Sequence, residues 1–323
     1  MGRNNVLLLA AGRRVSLVRM FKRAQKRMGF GGKVIAADLS DMAAACYVAD
    51  HHVKMPPVSS SGYLDAIAET CARYNVALIF SLIDTDQCLL AENRALLELA
   101  GGKLIVSGPV TNAVSADKRE TARFFSAHGI STPRTYDVAE QAKVVQEGHS
   151  LILKPWNGSR SESVYRVNSI RELKFFRDYV PHAMVQEFLT GDEYTVDVYV
   201  DFAGEVRCAV PRKRLEVRSG EVSKGVTVRD EAVIEGAIWI AKCLPDALGC
   251  LTIQCFKAPD GTVSFTEINP RFGGGFPLSA HAGADFPLWF LQEAHGVPCD
   301  ASMDAWKEGV LMSRYDAEII ISS

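Results

Sequence analysis

Apolar and polar positions follow two rhythms along this chain, and the change between them divides it. In the first third, residues 6–9, 34–37, 77–81 and 104–106 are nearly unbroken apolar runs, the pattern of parallel strands buried on both faces. Between them apolar residues recur every three or four positions, through Val15, Val18, Met20 and Phe21, from Tyr63 to about Tyr74, and from about Thr85 to Leu99. That spacing predicts helices covering such a sheet. Strand and helix in alternation predict a doubly wound α/β domain over residues 1–112.

From residue 150 onward the strand rhythm dominates. Strands are expected at 150–155, 164–167 and 184–189, and Val196, Val198 and Val200 take every second position, as in a strand with one buried face. Ser115-Ala116-Asp117-Lys118 opens a helix that runs through Phe124 and Phe125 to Gly129, with either Ser115 or Asp117 able to cap it. Ala232 to Leu244 has the spacing of a helix that packs on a sheet, and the closing segment, Met312 to Tyr315 with the apolar run at 317–321, is expected to complete the last sheet. The reading is α/β at the start and α+β later, in units 1–112, 113–184 and 185–323.

Composition narrows the partners. A chain of 323 residues holds two or three domains. Its formal net charge of -2 leaves no electrostatic footprint for nucleic acid or membrane. Eight cysteines without a CxxC pair fit a reducing compartment. No apolar run is long enough to span a bilayer, and Met1-Gly2-Arg3-Asn4-Asn5 leads straight into a strand without a signal-peptide pattern. The expectation is a cytoplasmic protein acting on small molecules.

The candidate chemistry is concentrated in one hairpin. Residues 251–256 are followed by the turn signal Pro259-Asp260-Gly261 and then by Phe265-Thr266-Glu267-Ile268-Asn269-Pro270-Arg271 and three glycines. With a loop at 259–262, the register pairs Phe256 with Phe265 and Gln254 with Glu267. Phe265, Glu267 and Asn269 share one face, so three side-chain oxygens meet there, a donor set for a hard divalent cation. Arg271 follows at the strand end, where a guanidinium can neutralise a phosphate.

Gln254 with Glu267-Ile268-Asn269-Pro270-Arg271 resembles the metal and phosphate signature of ATP-grasp enzymes, particularly the synthetase units of the carbamoyl phosphate synthetase large chain and related carboxylate-amine ligases. The resemblance covers nearly the whole chain as a single free-standing unit. It implies an ATP-grasp fold: an N-terminal doubly wound parallel-sheet domain, a small lid subdomain and a larger antiparallel-sheet subdomain. It further implies that Gln254, Glu267 and Asn269 hold magnesium, two ions in the family, and that Arg271 steadies the transferring phosphoryl group. Lys118, in a first helical turn where the dipole favours anions, then reaches the ATP phosphates. Lys154 contacts the nucleotide, Glu187-Phe188-Leu189 is the hinge that binds adenine, and Glu193 takes the ribose. The polar loop at 156–163 would close over phosphates.

Substrate contacts are less marked. In the basic cluster Pro211-Arg212-Lys213-Arg214 with Arg218 and Lys224, the candidates are Arg214 and Lys224; Gly12, Arg13 and Asp38 stand at strand carboxyl ends, and His281 borders the site. The implied activity is ATP-dependent amide formation from a carboxylic acid and an amine through an acyl phosphate, releasing ADP and phosphate. Related enzymes are often dimers, so a homodimer is among the expectations. Carboxylation or another phosphoryl transfer, and a nucleotide-binding sensor, are the other readings. A nicotinamide-dependent oxidoreductase ranks below them, because the first turn carries one glycine and two arginines where the dinucleotide fingerprint needs three glycines. No GxxxxGK[ST] occurs, which argues against the P-loop class.

Overall fold

The unbroken apolar runs form the centre of a parallel sheet in the computed structural model, which describes residues 2–158 and 162–321. The chain runs through β1 (Asn5–Leu9), α1 (Val15–Met28), β2 (Val34–Asp38), β3 (His51–Lys54), α2 (Tyr63–Arg73), β4 (Val76–Ser81), α3 (Gln87–Glu92), α4 (Arg94–Ala100) and β5 (Lys103–Leu104), giving the sheet order β3-β2-β1-β4-β5. Both edges of β1 are paired because it is the middle strand, and both its faces are buried because helices pack on either side of the sheet. Leu7 and Leu9 join Ile67 and Cys71 of α2, whereas Val6 and Leu8 join Val18 and Phe21 of α1.

Three expectations need correction here. The helix foreseen from about Thr85 to Leu99 is two helices broken at Asn93, whose side-chain amide donates to the Leu89 carbonyl at 2.8 Å and so competes with the helical ladder. The strand at 104–106 is reduced to Lys103–Leu104. β3, which the pattern did not mark, is an edge strand with His51, His52 and Lys54 exposed.

Two helices then cross to the next unit, α5 (Pro109–Ala116) and α6 (Lys118–Ala127). Ser115 lies inside α5, donating to the Thr111 carbonyl, and Asp117 is the cap of α6, accepting from the Arg119 amide at 2.8 Å. The small unit follows: α7 (Val138–Gln146), β6 (Leu151–Pro155), β7 (Tyr165–Val167), α8 (Ile170–Tyr179) and β8 (Ala183–Glu187), with an antiparallel sheet in the order β7-β6-β8. It has its own core around Leu151, Leu153, Val167, Leu173 and Val185. The expected boundary at residue 184 therefore cuts a strand, and the small sheet runs on to Glu187. α6 belongs with the large unit instead, since Phe125 is fully buried against Phe265.

The large unit comprises β9 (Asp192–Val200), β10 (Val206–Arg218), β11 (Glu221–Thr227), α9 (Glu231–Cys243), β12 (Gly249–Lys257), β13 (Val263–Asn269), α10 (Phe276–Ala282), α11 (Phe286–Ala294) and β14 (Leu311–Ser313). Its six-stranded sheet has the order β13-β12-β9-β10-β11-β14, with every pairing antiparallel. Residues 317–321 form no strand, and Ile320 is largely exposed. The core of this unit is continuous with the α1 side of the first sheet: Phe21 and Phe80 meet Phe272, and Phe80 meets Phe290 at 5.1 Å between ring centroids.

Candidate functional site

The β12–β13 hairpin pairs Gln254 with Glu267, the register that the turn spacing predicts. One residue later it slips. Cys255 pairs with Phe265 and Phe256 with Ser264, so Thr266 is left over as a bulge. The expected pairing of Phe256 with Phe265 is thus wrong, and Phe265 does not share a face with Glu267. It turns into the core beside Ile268, while Thr266 and Glu267 both face a cavity of about 190 Å³. The bulge reconciles an apolar anchor and a polar pair that simple alternation would have set against each other.

That cavity lies between the small and large sheets. Gln254, Phe256, Thr266 and Glu267 line one side, Ile152 and Lys154 of β6 the other, and Gln186 to Leu189 close the end where β8 leaves the small sheet. The Glu187 amide donates to the Arg134 carbonyl at 2.8 Å, but the Leu189 amide has no hydrogen-bond partner among the described residues. Lys118 enters from the first turn of α6. Its amide donates to the Trp156 carbonyl, its ammonium donates to the Gly158 carbonyl, and the same nitrogen stands 3.6 Å from Glu267 Oε1. Of the polar loop at 156–163, Ser159, Arg160 and Ser161 lie outside the described residues.

Cations and oxygens are interleaved across this floor. Arg214, nearly buried, donates to Glu193 and to the Gly220 carbonyl, and approaches Gln254 Oε1 at 3.4 Å. Arg271 Nη2 donates to Asn269 Oδ1 at 3.2 Å and to Asp84 Oδ2 at 2.5 Å, which ties the strand end to the loop after β4. Burial, partly offset by Glu267 and reinforced by Lys118, lowers the Lys154 ammonium to about 8. Burial also raises the Glu193 carboxyl and lowers the Arg214 guanidinium.

Gln254, Glu267 and Asn269 are brought to one strand end as three oxygen donors, each facing one of the protein's own cations. Oxygen donors of this kind fit a hard divalent ion, but with only one carboxylate most of the coordination must come from elsewhere, such as phosphate oxygens. Among the described residues no group of three His, Cys, Asp or Glu side chains could hold a metal ion.

Other expected residues lie apart. Lys224 is half-exposed and paired with Glu216 at 2.7 Å, away from the cavity lining. His281 is exposed on α10 and makes no side-chain hydrogen bond among the described residues. The Gly12 amide donates to Asp38 Oδ2 at 2.7 Å, and its positive φ of 49° allows the turn after β1; the pair shapes the loop that carries Arg13 and Arg14. Asp84 was not singled out in the sequence. It is 187 positions from Arg271, and nothing local marks the pairing.

Comparison with known proteins agrees with this layout. Residues 6–105 match the family model of the PylC-like N-terminal domain, and residues 179–317 that of ATP-grasp in the biosynthetic pathway with Ter operon. The D-alanine–D-alanine ligase of Fusobacterium nucleatum is 26% identical over 189 residues, 56% of this chain and 64% of that protein, so the match reaches less than two-thirds of the relative's length. The biotin carboxylase domain of the Hydrogenobacter thermophilus 2-oxoglutarate carboxylase, solved with MgADP, superposes with a TM-score of 0.75 at 16% identity, over 95% of this chain and 73% of that one. The L-amino acid ligase of Bacillus licheniformis superposes with a TM-score of 0.69 at 18% identity, over 91% and 74%.

Proposed function

We propose that this chain, whose residues 179–317 match an ATP-grasp family model, is an ATP-grasp enzyme: an ATP-dependent carboxylate-amine ligase that forms an amide through an acyl phosphate. The observation that carries this reading is the Gln254–Glu267 cross-strand pair, facing Lys118 and Lys154 across a cavity that ends at Leu189. ATP fits it with adenine at the hinge, where the Leu189 amide, without a partner among the described residues, offers a donor, and with phosphates between the two lysines and the hairpin. Glu193, tied to Arg214, is the acid assigned to the ribose hydroxyls.

Bound magnesium, held by Gln254, Glu267 and Asn269, would neutralise phosphate charge. The rest falls to the chain. Lys118 and Lys154 orient the nucleotide, and Arg271, fixed by Asp84 and Asn269, presents its guanidinium where the γ-phosphoryl group moves. A carboxylate oxygen of the acid attacks the γ-phosphorus and ADP leaves. The neutral amine then attacks the acyl carbon, phosphate departs with both bonding electrons, and the amine nitrogen gives up a proton. Positioning and charge neutralisation supply most of the catalysis, and no covalent enzyme intermediate is needed.

Glu267→Ala tests the assignment. It should lower ATP-dependent turnover by about a hundredfold or more, as loss of a charge-stabilising group in a desolvated site does. Turnover within about threefold of the parent would remove Glu267, and the metal set with it, from the reading.

A further inference from the structure

Beyond the nucleotide cavity, four arginines converge on the seam between the first sheet and the glycine run. Arg13 and Arg14 come from the turn after β1, which is pinned by Asp38 holding the Gly12 amide and by the Arg14 amide donating to the Ala11 carbonyl at 2.9 Å. Arg271 follows β13 and Arg314 follows β14. Two carboxylates answer them. Glu221 Oε2 takes both Arg13, at 3.0 Å, and Arg314, at 2.8 Å, and Asp84 takes Arg271.

Arg14 is left over. Its side chain makes no ion pair or hydrogen bond among the described residues, although it is half-buried and closely confined. A methyl group on Gly274 would stand 3.0 Å from Arg14 Nη1 and 3.2 Å from Glu221 Oε2, so the missing side chain at 274 is what lets the guanidinium lie there. Burial first, and the neighbouring Arg271 second, hold Arg14 down to about 10 against the opposing charge of Glu221, which Arg13 and Arg314 already share; Arg14 is still charged near neutral pH. Four cations against two carboxylates is a local excess of positive charge in a chain whose net charge is -2. Confined like charges repel, and a guanidinium without a partner in such a place is stabilised by an anion from outside.

Resting on the ligase reading above, we infer that the acid this site activates carries a second anionic group, a carboxylate or a phosphate, held by Arg14 beside the glycine run. The reacting carboxylate then lies toward Arg271 and the hairpin, and the second anion toward Arg14 and Arg314. Both anions match the planar donor fork of arginine. Arg14 is thereby a specificity determinant and takes no part in the bond changes.

The experiment is calorimetric titration of the full chain with succinate and O-phosphoserine, each against its counterpart lacking the second anion, butyrate and serine. The parent should bind at least one of the two anionic acids about tenfold or more tighter than its counterpart. Arg14→Gln should erase that difference and Arg14→Lys restore part of it, in line with the worth of a charge-assisted hydrogen bond. Preference for succinate would identify a dicarboxylic acid, and preference for O-phosphoserine a phosphorylated one. Neither acid binding better than its counterpart, or an undiminished preference in Arg14→Gln, would overturn the inference. Glu267→Ala separates the two claims: it should keep the preference, because Arg14 is intact, whatever becomes of ligation.

Discussion

Lys154 shows how one side chain ties the cavity's burial to its chemistry. Its ammonium sits at about 8 before any nucleotide arrives, mainly because it is buried, with Lys118 adding to the effect and Glu267 opposing it. Only the protonated form attracts phosphate. Bound phosphates favour that form, so the complex has the higher pKa. ATP affinity should therefore be flat below about pH 7.5 and fall as pH rises through 8, approaching tenfold per unit until the pKa of the complex is reached. Lys154→Met should bind ATP more weakly and show no such fall, and a titration series from pH 7 to 9.5 compares the two. Residues such as Lys154 and Glu267 were legible in the sequence because a strand pattern and a short motif surround them. Arg14 and Asp84 were not, since their neighbours arrive from distant segments of the chain.

Several elements meet at one buried ion pair. Arg212 of β10 donates to both oxygens of Asp197 on β9, at 2.7 and 2.9 Å, and Ser279 of α10 donates to the same carboxylate at 2.6 Å. Thr252 of β12 reaches it at 3.4 Å. Three strands and a helix thus share one fully buried charge pair, directly behind the glycine run. Asp197→Ala would leave the Arg212 guanidinium buried and unpaired, which should cost about 3–5 kcal/mol of stability. Urea unfolding measures it, and a loss below about 1 kcal/mol would mean that water or a rearranged partner reaches Arg212. In the sequence the basic cluster containing Arg212 offered Arg214 and Lys224 as substrate contacts, and nothing local marked Arg212 as its buried member. The hairpin of Gln254 and Glu267 was legible in its pairing and turn. Its bulge at Thr266 was not, because one unpaired residue leaves no trace in a pattern of period two.

At the scale of the molecule, one apolar core joins the α1 side of the first sheet to the six-stranded sheet, and the small sheet has a core of its own. The cavity proposed for the nucleotide lies where the small sheet meets the large one, and the arginine seam lies where the large one meets the first. The parallel domain was legible because its strands are buried on both faces and read as solid apolar runs. The division between small and large units was less so, since α6 and β8 each lie near a boundary and only their packing partners decide which side they join. Among the described residues no helix is long and apolar enough to cross a membrane. The central claim is that acid, amine and ATP meet in this cleft to give an amide. Its most direct test is phosphate release from ATP and magnesium with pooled carboxylic acids and amines, followed by mass analysis of each active pool. The account predicts release that needs both an acid and an amine, is lost in Glu267→Ala, and yields a product lighter than their sum by one water. Acid-dependent release whose product contains no amine, or steady release that no acid or amine changes, would contradict it.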